Sequence, residues 1–552
     1  MQQRDDEQAP NIDDARGCSN GAGHVIAALM NSGVDVMFAN PGTTEVHLVS
    51  ALDEFPGMRS VLCLFEGVAS GAADGYARMT GRPAATLLHL GPGVGNAWAN
   101  LHNARRGGTP VVNLVGDHPD SHLGLQSALE SDIAGQAATV SCWVGRASSA
   151  ESVGADVEAA VDATRALRHG RPLSGPHATP TTDSAVATLI IPADVSWTPV
   201  TSRPRLDPPD ESAPISDAEH DVADPVSAVV AALRSGEQTA LLLGPGASSD
   251  AELRAADRIR QVTGAVVYTD VFSTHRRRGR GLPQIEDLPF RSDQTRRLLK
   301  DVHHAVLLAA PEPVAPFAYP DQSGRLLPPD AGVIRVSAVR APSLLAEVAD
   351  VIAPGVVPRQ TAALIDQGPD GPLTSTNWGA VFAAALPEDA IISDESITSG
   401  MTGLSTALDH APPHDSLGQA GYAIGQGIPV AVGAAVACPD RPIYTLQADG
   451  SAMYTISGLW TQARERLDVT TIILDNGAYE IINGELDRAG GASETIRNNL
   501  VNLGRPALDF VSIAHGMGVP GVRVDTGRAL RSALQQARST EGPFLIHAQL
   551  TR

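Results

Sequence analysis

The chain has 552 residues, of which 43% are hydrophobic and 18% are charged, and its formal net charge is −22. At roughly 150 residues per domain this length predicts three or four globular domains, and the composition excludes a disordered chain. The acidic charge argues against nucleic acid as a partner. The sequence has no apolar run of membrane-spanning length and no signal-peptide pattern in residues 1–17, so we expect a cytoplasmic protein with no membrane partner.

The number and spacing of cysteine and lysine residues argue against several kinds of structural and catalytic site. The cysteines are too far apart along the chain to indicate a zinc cage or a disulfide scaffold; they are Cys18, Cys63, Cys142 and Cys438. Lys300 is the one lysine, and its sequence context is that of an exposed helix end before a strand. Since Schiff-base chemistry needs an active-site lysine, lysine-based covalent catalysis is not expected.

Short apolar strands alternate with amphipathic helices through most of the chain. This alternation predicts parallel sheets and an α/β fold. Two stretches without apolar periodicity, 198–220 and 353–374, separate three such blocks. The blocks cover residues 18–197, 222–355 and 375–552.

The first block carries two ionisable residues at the ends of predicted strands. Glu66 ends an apolar strand and faces a Gly/Ala-rich helix, and His89 ends the strand PAATLLHL. A carboxylate in that place would be partly desolvated, and a histidine suits proton transfer near neutral pH. The alternatives are structural: a glutamate that stabilises a helix N-terminus, and a strand-end histidine without a catalytic role.

The third block contains two polar turns, each directly after a predicted strand. The first is Asp449-Gly450-Ser451, and Asn476 lies in the second. One helix and one strand separate the turns, so a right-handed crossover places both at the carboxyl edge of a parallel sheet. Oxygens of Asp449 and Asn476 suit Mg²⁺, and the helix that Gly450 and Ser451 open suits a diphosphate. The alternative is that these turns carry Asp and Asn for conformational reasons alone.

Together these motifs resemble those of the thiamine diphosphate enzymes of the benzoylformate decarboxylase, pyruvate decarboxylase and acetolactate synthase group. The Gly-Asp-Gly motif of that family has Ala448 in place of its first glycine here. The resemblance implies an α/β fold of three doubly wound parallel-sheet domains: pyrimidine-binding (18–197), middle (222–355), and diphosphate- and magnesium-binding (375–552). It implies thiamine diphosphate and Mg²⁺ as cofactors. FAD is not expected, because the glycine turn in LLLGPGASS is not a dinucleotide fingerprint.

The resemblance also assigns roles around the cofactor. The cofactor-binding set that it implies is Glu66, Tyr422, Ile424, Asp449, Gly450, Ser451, Asn476 and Ala478. Within that set, the metal ligands would be Asp449, Asn476 and the backbone carbonyl of Ala478. Ile424 would bend the cofactor, and the carbonyl of Tyr422 would accept a hydrogen bond from its amino group.

By the same resemblance, Glu66 and His89 are the catalytic residues. Glu66 would hydrogen-bond the aminopyrimidine ring of the cofactor, and His89 would transfer protons in the substrate chemistry. The implied substrate pocket is Thr43, His118, Ile481 and Ile482. For the threonine and the histidine in that pocket, a plain turn residue and a surface histidine remain the alternatives. Phe317 and Tyr319 stand where benzoylformate decarboxylase has its second active-site histidine, which argues against benzoylformate itself as the substrate.

The function implied is decarboxylation of a small 2-oxo acid, followed by release of an aldehyde or by coupling to a second carbonyl compound. One alternative is an acetolactate synthase-type carboligase that uses pyruvate. Another is a cofactor-binding subunit without catalytic activity. The family further implies a homodimer or homotetramer with active sites between subunits.

Overall fold

The computed structural model describes residues 20–166, 173, 175–181, 184–202, 204, 206, 224–318, 320, 322–363 and 367–551. Most of the predicted linker 198–220, as well as Cys18 and Tyr319, lies outside this part of the chain. Within it, helices and strands alternate and form three sheets of six, five and seven strands. No helix in the described ranges has both the length and the apolar character needed to cross a membrane.

The first sheet is entirely parallel. Its strands are β1 (Val36–Ala39), β2 (Arg59–Leu62), β3 (Ala84–His89), β4 (Val111–Asp117), β5 (Trp143–Arg146) and β6 (Val186–Pro192). Its helices are α1 (Gly21–Asn31), α2 (Val46–Ala51), α3 (Glu66–Thr80), α4 (Leu90–Arg106), α5 (Ile133–Ala138), α6 (Val153–Ala166) and α7 (Ala193–Trp197). The strand order is β2-β1-β3-β4-β6-β5. Neighbouring residues of β1 belong to two different hydrophobic cores, so helices cover both faces of the sheet.

The second sheet belongs to the middle of the chain. Strands in this part are β7 (Thr239–Leu243), β8 (Val266–Thr269), β9 (Arg276–Arg278), β10 (Glu286–Asp287), β11 (His304–Leu308) and β12 (Gly332–Val336). Helices are α8 (Pro225–Arg234), α9 (Asp250–Thr263), α10 (Ser292–Leu299) and α11 (Ala341–Ile352). The order β10-β8-β7-β11-β12 is parallel throughout and leaves β9 out. Lys300 directly follows α10 with an exposed side chain, as its sequence context predicts.

The third sheet has the order β17-β18-β16-β15-β13-β14-β9. Its remaining strands are β13 (Ile391–Glu395), β14 (His414–Leu417), β15 (Ile443–Ala448), β16 (Val469–Asp475), β17 (Gly521–Val524) and β18 (Phe544–Gln549). Its helices are α12 (Trp378–Ala385), α13 (Leu404–His410), α14 (Gly427–Ala437), α15 (Asp449–Ala452), α16 (Gly458–Arg464), α17 (Glu480–Arg488), α18 (Glu494–Leu500), α19 (Phe510–Gly516) and α20 (Gly527–Ser539). Only β9 runs antiparallel to its neighbour here, so the predicted parallel architecture holds with one edge strand as an exception.

Two helices join the first and third sheets through a shared core. A Cβ atom at Gly75 of α3 would lie 2.1 Å from the carbonyl oxygen of Val430 in α14, and one at Gly433 would lie 1.9 Å from that of Ala72. Glycine at both positions lets the two backbones touch. The core around this crossing contains residues of both sheets, so the first and third sheets pack together within one chain.

Candidate active site

The carboxyl edge of the third sheet brings Asp449 and Asn476 together. Asp449 directly follows β15 and Asn476 directly follows β16, and these two strands pair in parallel. The backbone N–H of Gly477 donates to Asp449 Oδ2 and to Asp475 Oδ1, at 2.8 Å each. The crossover argument from the sequence therefore describes this edge correctly.

The donor atoms at this edge fit a hard divalent cation. Asp449 is 3% exposed and its Oδ1 accepts from the Gly450 N–H at 2.8 Å. Asn476 Oδ1 accepts from the Ala478 N–H at 2.9 Å, and the Ala478 carbonyl accepts from the N–H of Glu480 at 2.9 Å. Carboxylate, amide and carbonyl oxygens each keep a lone pair for Mg²⁺. No group of three or more His, Cys, Asp or Glu side chains with metal-binding geometry occurs in the described ranges.

Electrostatics at the same edge also suit a cation. Burial, with the neighbouring Asp475 as a further cause, raises the pKa of Asp449 above its ordinary value. Burial acts in the same sense on Asp475, but the facing His547 holds the pKa of Asp475 below its ordinary value. A bound divalent cation would offset the desolvation of both carboxylates.

No sequence pattern predicts a role for His547 at this edge. It lies on β18, is 1% exposed, and its Nε2 is 2.8 Å from Asp475 Oδ2. Its Nδ1 is buried and has no hydrogen-bond partner in the described part of the chain. The contact supports the turn that carries Asn476, because Asp475 immediately precedes it. In the sequence, His547 stands out only as a polar residue within the largely apolar segment FLIHAQL.

The sequence predicts one helix between the two polar turns, but the structure has two short ones there. α15 ends at Ala452, and a new helix, α16, starts at Gly458. Between them, in a segment that is not helical, the Thr455 hydroxyl donates to the Gly425 carbonyl at 2.9 Å. A Cβ atom at Gly450 would lie 2.5 Å from the Tyr479 ring, so the ring would have to shift to admit a larger residue here. A diphosphate would therefore meet one helical turn rather than a long helix.

A cavity of about 220 Å³ opens beside the two polar turns. Its lining residues are Asp449, Asp475, Asn476, Gly477, Leu503, Gly504, Ala507, Leu508, Phe510, Gln549 and Leu550. All of them belong to the third block, and Glu66 is not among them. Within one chain, only residues of the block predicted to bind the diphosphate and magnesium line this cavity.

Glu66 lies at the carboxyl edge of the first sheet. It is the first residue of α3, is 6% exposed, and its Oε2 accepts a hydrogen bond from Asn96 Nδ2 at 3.0 Å. A Cβ atom at Gly93 would lie 3.3 Å from Glu66 Oε1. Asn96 and Gly93 are both on α4, so this helix orients the carboxylate. Asn96 is a site residue that the sequence pattern did not indicate.

His89 pairs with a buried carboxylate. Its Nδ1 lies 2.8 Å from Glu45 Oε2 and 3.3 Å from the Thr44 hydroxyl. Glu45 is 0% exposed and also accepts from the Gly42 N–H at 2.7 Å. A Cβ atom at Gly116 would lie 1.8 Å from Glu45 Oε1, so a glycine is needed beside it. This arrangement leaves Nε2 as the ring nitrogen available to other groups.

The predicted substrate-pocket residues lie at two different sheet edges. Thr43 is exposed in the turn Thr43–Glu45, and His118 follows β4 with its Nε2 at 2.7 Å from the Ala128 carbonyl. Ile481 is half-buried and Ile482 is 44% exposed, both in α17 beyond the metal turn. The chain by itself does not bring these four side chains into one cavity of the described residues.

Tyr422 and Ile424 lie in the turn between β14 and α14. Tyr422 adopts φ = 64°, a left-handed conformation. Its ring packs against Phe272, with ring centroids 5.1 Å apart, and Phe290 lies next to both. Phe317 extends this aromatic group from the middle part of the chain, with its ring centroid 6.2 Å from that of Phe290.

Sequence comparison places both edges in known domains. Residues 19–138 match the thiamine pyrophosphate enzyme N-terminal TPP binding domain, and residues 400–548 match the corresponding C-terminal TPP binding domain. A Mycobacterium tuberculosis protein, provisionally named acetolactate synthase large subunit IlvX, is 48% identical over 96% of this chain and 98% of its own. The chain belongs to the thiamine pyrophosphate enzyme family.

Two further members of this thiamine pyrophosphate enzyme family are similar over almost the whole chain. Benzoylformate decarboxylase of Pseudomonas aeruginosa is 30% identical over 94% of this chain and 96% of its own. The solved structure of a thiamine diphosphate-dependent 4-hydroxybenzoylformate decarboxylase from Rhodococcus jostii RHA1 superposes with a TM-score of 0.75 at 25% identity, covering 97% of this chain and 99% of that one. The family, the fold class and the thiamine diphosphate-binding character predicted from the sequence are confirmed.

Proposed function

We propose that this family member decarboxylates a 2-oxo acid with thiamine diphosphate and Mg²⁺, and then releases an aldehyde or couples the product to a second carbonyl compound. The proposal rests on two sheet edges, each of which carries polar side chains suited to one part of the cofactor. Glu66 is buried at one edge, and the oxygen donors of Asp449 and Asn476 meet at the other. Glu66 lies within the matched N-terminal TPP binding domain, and Asp449 and Asn476 lie within the matched C-terminal one.

The third sheet would hold the metal and the diphosphate. Asp449, Asn476 and the carbonyl of Ala478 would be the protein ligands of Mg²⁺, with diphosphate oxygens completing the shell. Gly450 and Ser451 would let the backbone approach the diphosphate. Thiamine diphosphate, when bound, supplies a carbon nucleophile for the 2-oxo carbonyl group.

Residues of the first sheet would move protons. Glu66, oriented by Asn96, would hold a proton at the aminopyrimidine nitrogen, and Ile424 and the Tyr422 carbonyl would contact the cofactor rings. His89 would carry a proton to or from the reacting group through Nε2. Glu45 would keep the imidazole in place through Nδ1.

We propose that two chains complete each site, in a homodimer or a dimer of dimers. The support is that the cavity beside Asp449 is lined by the third block alone, while Glu66 belongs to the first. We further propose the domain boundaries 18–197, 222–355 and 375–552. A cytoplasmic location is also proposed; its support is that the three described cysteines are free.

A pyruvate-dependent, acetolactate synthase-type ligase is the second candidate, favoured by the name of the 48% identical relative. The test is incubation of purified protein with thiamine diphosphate, Mg²⁺ and a panel of aliphatic and aromatic 2-oxo acids. CO₂ with free aldehyde supports the first candidate, and acetohydroxy acid from pyruvate supports the second. Cofactor binding without CO₂ from any acid would contradict both and identify a non-catalytic subunit.

A further inference from the structure

A second buried carboxylate lies close to the proposed cofactor site, outside every motif that the sequence indicated. Glu395 is the last residue of β13 and is 1% exposed. Its Oε1 accepts from the Gly425 N–H at 2.6 Å, and its Oε2 accepts from the Gly427 N–H at 2.5 Å. One carboxylate thus binds the backbone on both sides of a turn, 30 residues further along the chain.

Side chains from α4 and from the segment after α15 hold the same turn. The Gly425 carbonyl accepts from the Thr455 hydroxyl at 2.9 Å and from Asn100 Nδ2 at 3.3 Å. Asn103 donates to the Ala423 carbonyl at 2.8 Å and accepts from its N–H at 3.1 Å. Ile424 lies between these anchored residues, so its position depends on them.

Keeping the Glu395 carboxylate buried in its ionised form lowers the free energy of unfolding. Burial raises the pKa of Glu395 to about 7, although the two backbone donors and the side chains of Ser451 and Gln447 oppose that rise. A Cβ atom at Gly427 would lie 2.2 Å from Gln447 Oε1, which is itself buried without a partner in the described part of the chain. Gln447 pairs with Glu395 across the strands and donates to the Ser451 hydroxyl at 2.6 Å. Buried polar groups of this kind are kept where they orient neighbouring groups.

We propose that Glu395 is a positioning residue that holds the turn at 422–427, and through it Ile424 and the Tyr422 carbonyl, against the rings of bound thiamine diphosphate. The inference rests on the proposed function of the site. It assigns to Glu395 the ring end of the cofactor rather than the diphosphate end. The test is therefore whether a change at Glu395 weakens binding of the whole cofactor more than binding of pyrophosphate, which represents the diphosphate end alone.

The experiment titrates cofactor-free protein by calorimetry with Mg²⁺-thiamine diphosphate and, separately, with Mg²⁺-pyrophosphate. The test variant is Glu395→Gln, because an amide has one acceptor oxygen and would turn its NH₂ group toward one of the two N–H donors. The control is Thr445→Val, which removes a hydroxyl on β15 that is buried and has no partner among the described residues. Thermal melting of each cofactor-free variant checks the fold.

We expect Glu395→Gln to weaken thiamine diphosphate binding by roughly 10- to 100-fold and to leave pyrophosphate binding within about twofold. Thr445→Val should match wild type with both probes. Unchanged thiamine diphosphate affinity, or an equal loss with both probes, would overturn the inference. Should Glu395→Gln not fold, Glu395→Asp, which keeps the charge and shortens the reach, must show the same selective loss. Wild-type protein that binds pyrophosphate but no thiamine diphosphate would overturn the proposed function itself.

Discussion

Glu66 is the residue whose role is most sharply testable. Glu66→Gln keeps the size of the side chain and the contact with Asn96, so the cofactor should still bind through the third sheet. Exchange of the C2 proton of bound thiamine diphosphate should slow by roughly 10²- to 10⁴-fold, because an amide cannot hold the proton at the pyrimidine. NMR of acid-quenched samples measures the exchange. His89→Ala is the comparison variant and should leave exchange intact; wild-type exchange in Glu66→Gln would contradict the assignment.

Glu45 and His89 form a unit that predicts non-additive kinetics. If Glu45 acts through the imidazole 2.8 Å away, Glu45→Gln should lower kcat, and His89→Ala should lower it by roughly 10²-fold. The double variant should be no slower than His89→Ala alone, since the shared step is already lost. Steady-state rates of the three variants decide this. Independent, multiplied losses would show that the two residues act separately.

The buried Glu395 predicts a pH dependence of stability. Its pKa is about 7 in the folded protein against an ordinary value of 4.5, so between these values the folded state holds a proton that the unfolded state has released. The free energy of unfolding of cofactor-free protein should therefore fall as the pH rises from about 4.5 to about 7, by on the order of 3 kcal/mol. Glu395→Gln should lack this part of the slope, as measured by urea unfolding at each pH. Parallel slopes for the two proteins would refute it.

At the scale of elements, the crossing of α3 and α14 is the contact that positions both sheet edges. Because a Cβ atom at Gly433 would lie 1.9 Å from a backbone oxygen, Gly433→Ala should lower the free energy of unfolding by about 1–3 kcal/mol. Gly95→Ala is a matched control on α4, where a Cβ atom would meet nothing within 4 Å; it should raise stability by roughly 0.5–1 kcal/mol. Urea midpoints of the two variants measure the difference. Equal effects of both substitutions would mean that the crossing is not tight.

At the scale of the whole molecule, shared sites predict complementation between inactive chains. Glu66→Gln and Asp449→Ala should each be nearly inactive alone. In a mixed dimer, one site carries both changes and the other carries neither, so co-expressed chains should recover roughly a quarter of wild-type activity. Activity assays of the mixture, with each single variant as control, test this. No recovery despite verified mixed dimers would indicate sites built within one chain.

The order of residues along the chain specifies the elements and the polar residues that sit directly on their ends. Asp449 and Asn476 can be paired from sequence alone because each follows a strand, and the right-handed crossover between parallel strands leaves one arrangement. His89, the last residue of β3, is located in the same way. Glu66 is not, because β2 ends at Leu62 and Glu66 begins α3 instead of ending the strand. The placement of Asp449, Asn476 and His89 at strand ends succeeds because chain-local patterns and topology both follow directly from the sequence.

The meeting of buried polar groups, in contrast, depends on tertiary packing. Glu45 and His89 are 44 residues apart, and Glu395 finds its backbone donors in a turn that begins 27 positions later and that no sequence pattern links to it. Likewise β9 leaves the middle sheet to pair with β14. Apolar periodicity marks such residues only as lying in a turn or at a strand end. Their partners depend on how sheet edges pack, because a buried carboxylate must find hydrogen-bond donors wherever the packed backbone presents them.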